Sequence, residues 1–542
     1  MLGLMQPVPL AIPQIFHRAE QQFPMKRIVS VEAGVTRETT VAEWAVRVRR
    51  LAAALDSLGV PARARVATFA WNSDRHLELY FAVPCSNRVL HTLNIRLGAE
   101  QLRHIVLEAA DDIVVIDRSL LARLWPLADE LPTVRHWVVI DDGSDAALPV
   151  DDRILDYEAL LASVEPMAGT FAIDDENLAA AICHTSGTTG HPKGVVYSHR
   201  STLLHSLAGM AAGVVGIEER DVVLPIVPMF HANAWGLPYT AMFAGADLVL
   251  PGSDLSAGSL VRLIAAHGVT VAAGVPAIWS GMLPVLEPAD VASLRLVLGG
   301  GSATPPPLAL EWERRVGVPI THTWGMTELN PTGVIGGLRS HHDDASASER
   351  TAVLASQGQP LPLVELRIAE VESGELLPHD GIASGELQAR GPWMAASYLG
   401  GSGDALLTAD GWIRTGDIAS IDPIGYITIR DRIKDLIKSG GEWIPSLQLE
   451  IAIAAHESVA EVAVVGRPDP AWLERPVAFV VTRADALGDA GSILDDLVSR
   501  VPKWWLPDEI RFVAELPRNT TGKVAKDVLR ALAVEPAADQ QS

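Results

Sequence analysis

The sequence predicts an α/β fold with several units: a large N-terminal domain of mixed and parallel sheets with helices, a small β-barrel-like subdomain and a small α+β C-terminal domain. The chain has 542 residues, more than one ordinary domain of about 150 residues holds. Apolar strand-like runs alternate with amphipathic helical runs over most of its length, which is typical of α/β folds. Hydrophobic residues make up 48% of the chain, enough for sizeable cores.

The N-terminal part shows the alternation most clearly. The run 41–59 has the spacing of an amphipathic helix, and the apolar run 63–70 that follows has the character of a buried strand. Two further strand-like runs come at 112–117 and 135–142. Helices between buried strands predict a largely parallel sheet.

The pattern changes between residues 358 and 430. Short alternating runs there are separated by Gly, Pro and Asp, which predicts a small antiparallel or barrel-like subdomain. The segment that starts at Asp431 is charged and contains glycines, and we interpret it as a hinge. The predicted domains are therefore 1–430 and 431–542.

Charge and cysteine content exclude several classes of function. The formal net charge of -23 disfavours binding to nucleic acid or to anionic membrane surfaces. The two cysteines, Cys85 and Cys183, have neither zinc-ligand spacing nor a disulfide pattern. We therefore expect a protein of a reducing compartment, the cytoplasm, without a nucleic-acid partner.

Two long stretches without charges, Val222–Ala246 and Leu263–Leu286, reach the length that a membrane span needs. Prolines, glycines and polar residues interrupt both, so we predict buried strands, turns and helices instead of transmembrane segments. The N-terminus lacks the basic region of a signal peptide. These features remain compatible with peripheral contact with a membrane.

The strongest local signal is the glycine-rich loop Thr185–Gly194, which follows an apolar strand. Its glycines let backbone N–H groups approach oxyanions, its hydroxyls donate further hydrogen bonds, and Lys193 supplies positive charge. The loop is not a Walker A motif, because Lys193 stands between Pro192 and Gly194 instead of preceding Ser or Thr. A plain Gly/Ser/Thr loop is the alternative.

With four further motifs, this loop resembles the acyl-adenylate-forming superfamily, and within it the AMP-forming medium- and long-chain fatty acyl-CoA synthetases. The five motifs occur in that family's order over most of the chain: Thr185–Gly194, Thr323–Glu328, Trp412–Asp417, Arg430–Trp443 and Leu516–Lys523. His191 and Trp324 depart from the residues more common at these positions. The resemblance implies an ATP-dependent, AMP-forming acid:CoA ligase with a mobile C-terminal domain.

The resemblance also implies roles for individual residues. Lys523 would reach the carboxylate and the α-phosphate, and Thr185 and Glu328 would hold Mg²⁺. Trp324 would pack against adenine, and Asp417 would accept hydrogen bonds from the ribose. The loop that would hold the β- and γ-phosphates comprises Ser186, Gly187, Thr188, Thr189, Gly190 and Lys193. The other implied cofactor-binding residues of the two domains are Gly301, Ser302, His322, Thr323, Gly325, Thr327, Arg432, Lys434, Lys438 and Trp443.

This chemistry agrees with the residue types. A carboxylate that attacks the α-phosphate of ATP is an anion attacking an anion, so lysine and Mg²⁺ are needed to neutralise the growing charge. In the second half-reaction, a thiolate attacks the acyl-AMP after the C-terminal domain has rotated. Small residues at Gly440 and Gly441 would let a pantetheine arm pass close to the backbone, although a tight turn without a ligand explains them too.

The substrate is indicated by two segments. The segment Pro228–Tyr239 resembles the border of the acyl tunnel in fatty acyl-CoA synthetases, with Trp235 as a candidate gate and His231 as a group that positions the carboxylate. The run Val297–Ala303 resembles the tunnel wall. Neither contains Lys, Arg or Asp, which favours an apolar acyl tail.

Several alternatives remain open at this point. The acid could be an aryl acid or a short thioether acid such as 3-methylmercaptopropionate, and a carrier protein could replace CoA as the acceptor. A catalytically silent nucleotide sensor is disfavoured, because Lys523 and Glu328 are both present. The N-terminal segment resembles that of homodimeric long-chain enzymes, so we expect a homodimer.

Overall fold

The computed structural model describes residues 1, 3–185, 191–401, 406–483, 486, 488–518 and 523–535. The described residues form four sheets of nine, seven, five and four strands. The first two sheets belong to the large N-terminal region, and the other two follow in chain order. The predicted α/β class, with a small β subdomain and a small α+β C-terminal domain, is confirmed.

The N-terminal third contains one complete sheet and the start of another. Its elements are α1 (Ile12–Gln22), β1 (Arg27–Glu32), β2 (Val35–Thr40), α2 (Val41–Ser57), β3 (Arg65–Phe69), α3 (Asp74–Cys85), β4 (Val89–Thr92), α4 (Ala99–Ala109), β5 (Ile113–Asp117), α5 (Leu121–Leu124), β6 (His136–Ile140), β7 (Ile154–Asp156), α6 (Tyr157–Ala162), β8 (Ala179–His184) and β9 (Gly194–Ser198). The seven-stranded sheet has the order β7-β6-β5-β3-β4-β8-β9. Its strands are parallel except for the pair β8 and β9, which encloses the predicted phosphate loop.

The middle of the chain completes the nine-stranded sheet. Its elements are α7 (His199–Met210), β10 (Val222–Pro225), α8 (Leu237–Ala244), β11 (Asp247–Leu250), α9 (Ala257–His267), β12 (Val271–Gly274), α10 (Pro276–Met282), β13 (Leu296–Gly300), α11 (Pro306–Val316), β14 (Ile320–Gly325), β15 (Thr332–Ile335), α12 (Ala347–Ala355) and β16 (Gln359–Pro360). The order is β16-β15-β14-β13-β12-β10-β11-β1-β2. The six strands from β14 to β1 are parallel, and the antiparallel pairs lie at the two ends.

The C-terminal third contains the two smaller sheets. Its elements are β17 (Glu365–Ala369), β18 (Gly385–Arg390), β19 (Ile413–Ile421), β20 (Ile427–Arg432), β21 (Ile437–Ser439), β22 (Glu442–Ile444), α13 (Ser446–Ala454), β23 (Val459–Asp469), β24 (Leu473–Thr482), α14 (Ala490–Leu497), β25 (Glu509–Phe512) and α15 (Lys526–Val534). Strands β17 to β20 form the antiparallel sheet of the predicted β subdomain. The later strands form a mixed sheet with α13 and α15 packed on β23.

The main core lies between the two large sheets. Helix α3 is buried along its whole length and contacts β1 of one sheet and β3, β4 and β8 of the other. The buried rings of Trp44, Phe81 and Tyr239 meet there, with ring centroids 5.0 and 5.2 Å apart in the two pairs that Phe81 makes. Burying aromatic side chains of this size is a large favourable term in folding. The core therefore fixes the two sheets against each other.

The two stretches without charges fold as the sequence predicts, into short strands, turns and helices. The first becomes β10, a short 3-10 segment and α8, and the second becomes the end of α9, then β12 and α10. Within the described ranges, no helix combines the length and the hydropathy that crossing a bilayer needs.

Candidate active site

The parallel strands of the nine-stranded sheet direct their carboxyl ends to one edge, where ligands bind in open α/β sheets. The segment with His231 follows β10, the segment with Gly301 and Ser302 follows β13, and Trp324 lies at the end of β14. Three stretches that are far apart in the sequence therefore meet at one place. Three groups of predicted site residues therefore follow or end parallel strands of the same sheet.

The end of β14 requires a glycine. A Cβ atom added to Gly325 would lie 2.0 Å from the backbone oxygen of Pro331, a distance that real Cβ atoms do not reach. After Gly325 the chain forms the 3-10 turn Thr327–Leu329 and then continues into β15. In this turn Glu328 is buried, with 6% of its surface exposed.

Glu328 is connected to the phosphate loop through a residue that the sequence analysis did not single out. The hydroxyl of Tyr398 donates a hydrogen bond to Glu328 Oε1 over 2.6 Å. The Nζ atom of Lys193 lies 4.9 Å from the centroid of the Tyr398 ring, within the range of a cation–π contact. The ring therefore sits between the loop lysine and the buried carboxylate.

The base of the phosphate loop is closed by two hydrogen bonds. The N–H of Thr185 donates to the Lys193 carbonyl over 3.0 Å, and the N–H of Lys193 donates to Thr185 Oγ1 over 3.1 Å. Between these ends, the predicted phosphate-binding residues lie outside the described residues: Ser186, Gly187, Thr188, Thr189 and Gly190. Beyond them, the rings of His104 and His191 stack with centroids 4.3 Å apart.

Asp417 receives hydrogen bonds on both carboxylate oxygens. The indole N–H of Trp324 donates to Oδ2 over 2.8 Å, and Arg432 Nε donates to Oδ1 over 2.9 Å. Trp324 ends β14, Asp417 lies in β19 and Arg432 ends β20. The contact therefore joins the nine-stranded sheet to the β subdomain at three predicted nucleotide-binding residues.

Lys523 lies in the electrostatic field of this group. Burial by surrounding protein, together with charge repulsion from Arg432 and Lys434, lowers the pKa of Lys523 to about 8 against the opposing charge of Asp417. Lys523 is surrounded by protein but remains exposed to solvent. The structure therefore brings the predicted catalytic lysine of the C-terminal region to Asp417 and Arg432.

His231 lies within reach of the same lysine. Burial, together with the charges of Lys523 and Arg96, lowers the pKa of His231 to about 4, so its ring is neutral near pH 7. Its Nδ1 atom is buried and accepts or donates no hydrogen bond among the described residues. A buried polar atom without a partner is costly, so this nitrogen is a candidate for contact with a ligand.

Trp235 packs on the end of β13 and also lines an internal cavity. Its Cη2 atom would lie 2.9 Å from a Cβ atom added to Gly300, so the indole packs directly on the β13 backbone. The indole lines a narrow cavity of about 20 Å³, which has room for about one water molecule. Its lining is mostly apolar: Val215, Ile217, Leu237, Leu298 and Leu361, with His205, Gly209, Trp235, Thr240, Thr323 and Thr332.

The other predicted site residues in or next to β14 are buried. His322 lies in β14 with 6% of its surface exposed, and burial lowers its pKa to about 4 although Ser302 supplies a backbone hydrogen bond. Thr323 Oγ1 donates to the Gly299 carbonyl over 3.3 Å, and the Thr327 carbonyl accepts from the Tyr197 hydroxyl over 2.7 Å.

The hairpin β21–β22 carries the other predicted residues. Lys438 Nζ lies 4.8 Å from the centroid of the Trp443 ring, and the N–H of Gly440 donates to the Trp472 carbonyl over 2.8 Å. Gly440 and Gly441 have φ values of +62° and +92°. These contacts lie within the C-terminal region, so they do not join the hairpin to the edge where Lys523 lies.

Two neighbours of the site were missed by sequence reasoning. Tyr398 lies between strands β18 and β19, where an isolated aromatic residue in the sequence indicates no function. Asn233 lies in the predicted tunnel segment, but nothing in the pattern distinguishes it from the residues around it. Both act through contacts between distant parts of the chain, which a single sequence does not reveal.

Comparison with known proteins identifies the family. The AMP-binding enzyme family matches residues 16–399, and the C-terminal domain of AMP-binding enzymes matches residues 448–523. The solved structure of ATP-bound MatB from Rhodopseudomonas palustris matches the structure of this chain with a TM-score of 0.83 and 27% sequence identity. The match covers 96% of this chain and 98% of that one.

Two curated relatives match over nearly their whole lengths. The 3-methylmercaptopropionyl-CoA ligase of Ruegeria lacuscaerulensis is 42% identical over 533 residues, 98% of each chain. The long-chain-fatty-acid–CoA ligase of Thermus thermophilus is 43% identical over 518 residues, 95% of this chain and 94% of that one. These matches show that the chain belongs to the AMP-binding enzyme family.

Proposed function

We propose that this AMP-forming acyl-CoA ligase activates a fatty acid of medium or long chain: the acid and ATP give acyl-AMP and pyrophosphate, and the acyl group then passes to the CoA thiol. The observation that carries the proposal is the position of Lys523 beside Asp417 and Arg432. Surroundings that depress the pKa of Lys523 do nothing to stabilise the fold through its charge. Charge stabilisation in a reaction gives that position a purpose.

In the first half-reaction, the chain must hold two anions against each other. Lys523 would neutralise charge between the acid carboxylate and the α-phosphate. His231, neutral and with an unpartnered Nδ1 atom, would orient the carboxylate by a hydrogen bond. Asp417 would hold the ribose hydroxyls, and Trp324 would face the adenine. Lys193 would contact the β- and γ-phosphates from the loop.

A magnesium ion fits the donor set at this place. The Thr185 hydroxyl and the buried Glu328 carboxylate are hard oxygen ligands of the kind that Mg²⁺ prefers. We propose that these two residues hold it, with the phosphates completing its coordination. When bound, the ion supplies positive charge next to the phosphates. Tyr398 fixes the Glu328 carboxylate through the hydrogen bond to Oε1.

In the second half-reaction, we propose that residues 431–542 rotate as a domain about a hinge near Asp431. Rotation would withdraw Lys523 and bring the β21–β22 hairpin to the acyl-AMP. Gly440 and Gly441 would then line the path of the pantetheine arm, flanked by Lys438 and Trp443. The contacts that the hairpin now makes within its own region support this assignment to a separate step.

The cavity that Trp235 lines supports an apolar acyl tail. Charged residues are missing from its described lining, and His205 in its wall is neutral because burial lowers its pKa to about 4. The Trp235 indole packs on the end of β13 and lines this cavity, so we assign it as the gate. A hydrocarbon chain gains about 0.8 kcal/mol for each methylene that it buries in such a space.

A short thioether acid is the second candidate, and one observation favours it. The cavity of about 20 Å³ is far smaller than an occupied acyl site, so any acyl tail needs it to widen, and a short tail needs the least widening. The relative from Ruegeria lacuscaerulensis is named for 3-methylmercaptopropionyl-CoA.

The test is mass-spectrometric detection of AMP and acyl-CoA after incubation with Mg²⁺, ATP, CoA and a panel of acids. The panel contains straight-chain acids of increasing length, aryl acids and thioether acids. We expect acyl-CoA from medium or long straight-chain acids. Pyrophosphate release that depends on the acid but yields no acyl-CoA would assign another acceptor, such as a carrier protein.

We further propose that the enzyme is a cytoplasmic homodimer. The support is the resemblance of its N-terminal segment to that of homodimeric long-chain enzymes, together with the apolar residues that this segment exposes, among them Leu4 and Met5. Light scattering of the purified chain should give twice the mass of 57.9 kDa. A single-chain mass at micromolar concentration would contradict the dimer.

A further inference from the structure

The segment that carries His231 and Trp235 has an unusual backbone. The four residues Ala232–Trp235 all have positive φ values, from 43° to 57°, and Gly236 follows with 72°. Residues other than glycine are strained at positive φ, because their Cβ atom approaches the backbone carbonyl oxygen. A run of four such residues persists only when surrounding contacts hold it in place.

Asn233 supplies such a contact from within the turn. It is the one residue of the four whose type tolerates positive φ well, and only 3% of its surface is exposed. The thiol of Cys183 donates a hydrogen bond to Asn233 Oδ1 over 3.2 Å. The hydroxyl of Tyr80 lies 3.4 Å from the same oxygen and also donates to the carbonyl of Met229, just ahead of the turn.

Cys183 connects this turn to the nucleotide site. It lies in β8, two residues before Thr185, and only 1% of its surface is exposed. Burial raises the pKa of the Cys183 thiol to about 11, so the thiol remains protonated near neutral pH and can donate. Thr92 Oγ1 on the neighbouring strand lies 3.5 Å from the sulfur and restrains it from the other side.

We propose that Asn233 is a positioning residue: with the Cys183 thiol it ties the left-handed turn that presents His231 and Trp235 to the strand that leads into the phosphate loop. The inference rests on the proposed function, because it assigns His231 to the carboxylate and Trp235 to the acyl cavity. Asn233 touches neither substrate. It acts by keeping both side chains at the angle that the strained turn gives them.

The two requirements on Asn233, its backbone conformation and its amide, can be separated by substitution. Asn233→Gly keeps the positive φ without strain but removes the amide, whereas Asn233→Ala loses both. Cys183→Ala removes the thiol donor, and Cys183→Ser keeps a donor. Cys85→Ala is the matched control, since Cys85 is an equally buried free thiol in α3.

The first measurement is steady-state kinetics of acid-dependent pyrophosphate release. Loss of one hydrogen bond predicts that Asn233→Gly and Cys183→Ala each reduce kcat/KM for the acid about tenfold, with the KM for ATP nearly unchanged. Cys183→Ser should restore most of the activity. The double variant should be no worse than Asn233→Gly alone, because Asn233→Gly already removes the contact that Cys183→Ala removes. Additive losses, or activities equal to that of Cys85→Ala, would overturn the proposal.

The second measurement does not depend on activity. Hydrogen exchange of the peptide that spans residues 229–237 should be faster in Asn233→Gly and Cys183→Ala than in the wild type and in Cys85→Ala. If the wild type releases no pyrophosphate with any acid, the proposed function is wrong. The exchange comparison still tests whether Asn233 and Cys183 hold the turn against β8. Equal exchange in all four proteins would show that they do not, and thermal unfolding identifies any variant that has lost its fold.

Discussion

Lys523 gives the reaction a pH dependence whose direction follows from its surroundings. Its pKa is lowered to about 8, chiefly by burial and then by Arg432. The ammonium form carries the charge that the first half-reaction needs, and this form is lost as the pH rises through the pKa. We therefore predict that the rate of acyl-AMP formation is constant below about pH 7 and falls above about pH 8, measured as acid-dependent pyrophosphate release.

Asp417→Asn provides the internal comparison for this profile. Asp417 raises the pKa of Lys523 against the effect of burial, so its removal should move the falling limb to lower pH as well as weakening ATP binding. If the fall in rate occurs at the same pH in Asp417→Asn, or at higher pH, then the loss of activity at alkaline pH is due to a group other than Lys523.

Glu328 is the carboxylate to which we assign the magnesium ion. We predict that Glu328→Gln lowers kcat by about a hundred- to a thousandfold, the usual effect of removing a group that stabilises transition-state charge. The Mg²⁺ concentration for half-maximal rate should also rise. Both are measured in a magnesium titration of pyrophosphate release.

Tyr398→Phe is the matched variant for this prediction. It removes the hydroxyl that donates to Glu328 Oε1 but keeps the ring beside Lys193. We expect a smaller loss of rate, with little change in the magnesium requirement. If Glu328→Gln shows the wild-type magnesium curve, Glu328 does not hold the metal.

The end of β14 depends on backbone packing more than on any side chain. A methyl group on Gly325 would overlap the Pro331 carbonyl at 2.0 Å, so β14 and β15 would have to separate. We predict that Gly325→Ala lowers the free energy of unfolding by about 1–3 kcal/mol and displaces Trp324 from Asp417. Thermal unfolding and the KM for ATP test the two parts.

Gly317→Ala is a control for the stability part of this test. Gly317 ends α11 with a φ of 79°, and a Cβ atom there would meet no other atom within 4 Å. Its substitution should cost only the strain of a left-handed alanine and leave the KM for ATP unchanged. A KM effect as large in Gly317→Ala as in Gly325→Ala would contradict the role given to the β14 contact.

The elements of the fold were predictable because each has a local pattern. The amphipathic run at 41–59 became α2, whose start is fixed by reciprocal hydrogen bonds between Thr40 and Glu43. The glycine-rich loop, the end of β14 and the β19 aspartate were recognised from short motifs. The left-handed turn at 232–235 was not, because its conformation depends on contacts with β8 and α3 that no local pattern encodes.

Assembly of the site from separate regions limits what one sequence reveals. Tyr398 and Cys183 are ordinary residues in their own segments, and they matter only because Glu328 and Asn233 are folded against them. The motifs around Asp417 and Lys523 were placed in one site by resemblance, not by spacing. Their mutual contacts, such as the indole N–H of Trp324 on Asp417, came only from the structure.

The two half-reactions place opposite demands on the whole chain, so variants of the C-terminal region should separate them. Lys523→Ala should abolish acyl-AMP formation but leave thioester formation from supplied acyl-AMP largely intact. Gly441→Leu should do the reverse, because a Cβ atom there meets no protein atom within 4 Å in this arrangement and would obstruct only the pantetheine path. Its positive φ of 92° adds a modest strain.

The measurement is a pair of assays on each variant: acid-dependent pyrophosphate release without CoA, and conversion of supplied acyl-AMP to acyl-CoA. Rotation of residues 431–542 predicts opposite losses, because Lys523 and the β21–β22 hairpin would occupy the site in turn. A C-terminal region fixed in the described arrangement would keep the hairpin away from acyl-AMP, and Gly441→Leu would then leave both assays unchanged. Equal loss of both reactions in Lys523→Ala would likewise contradict the division of labour.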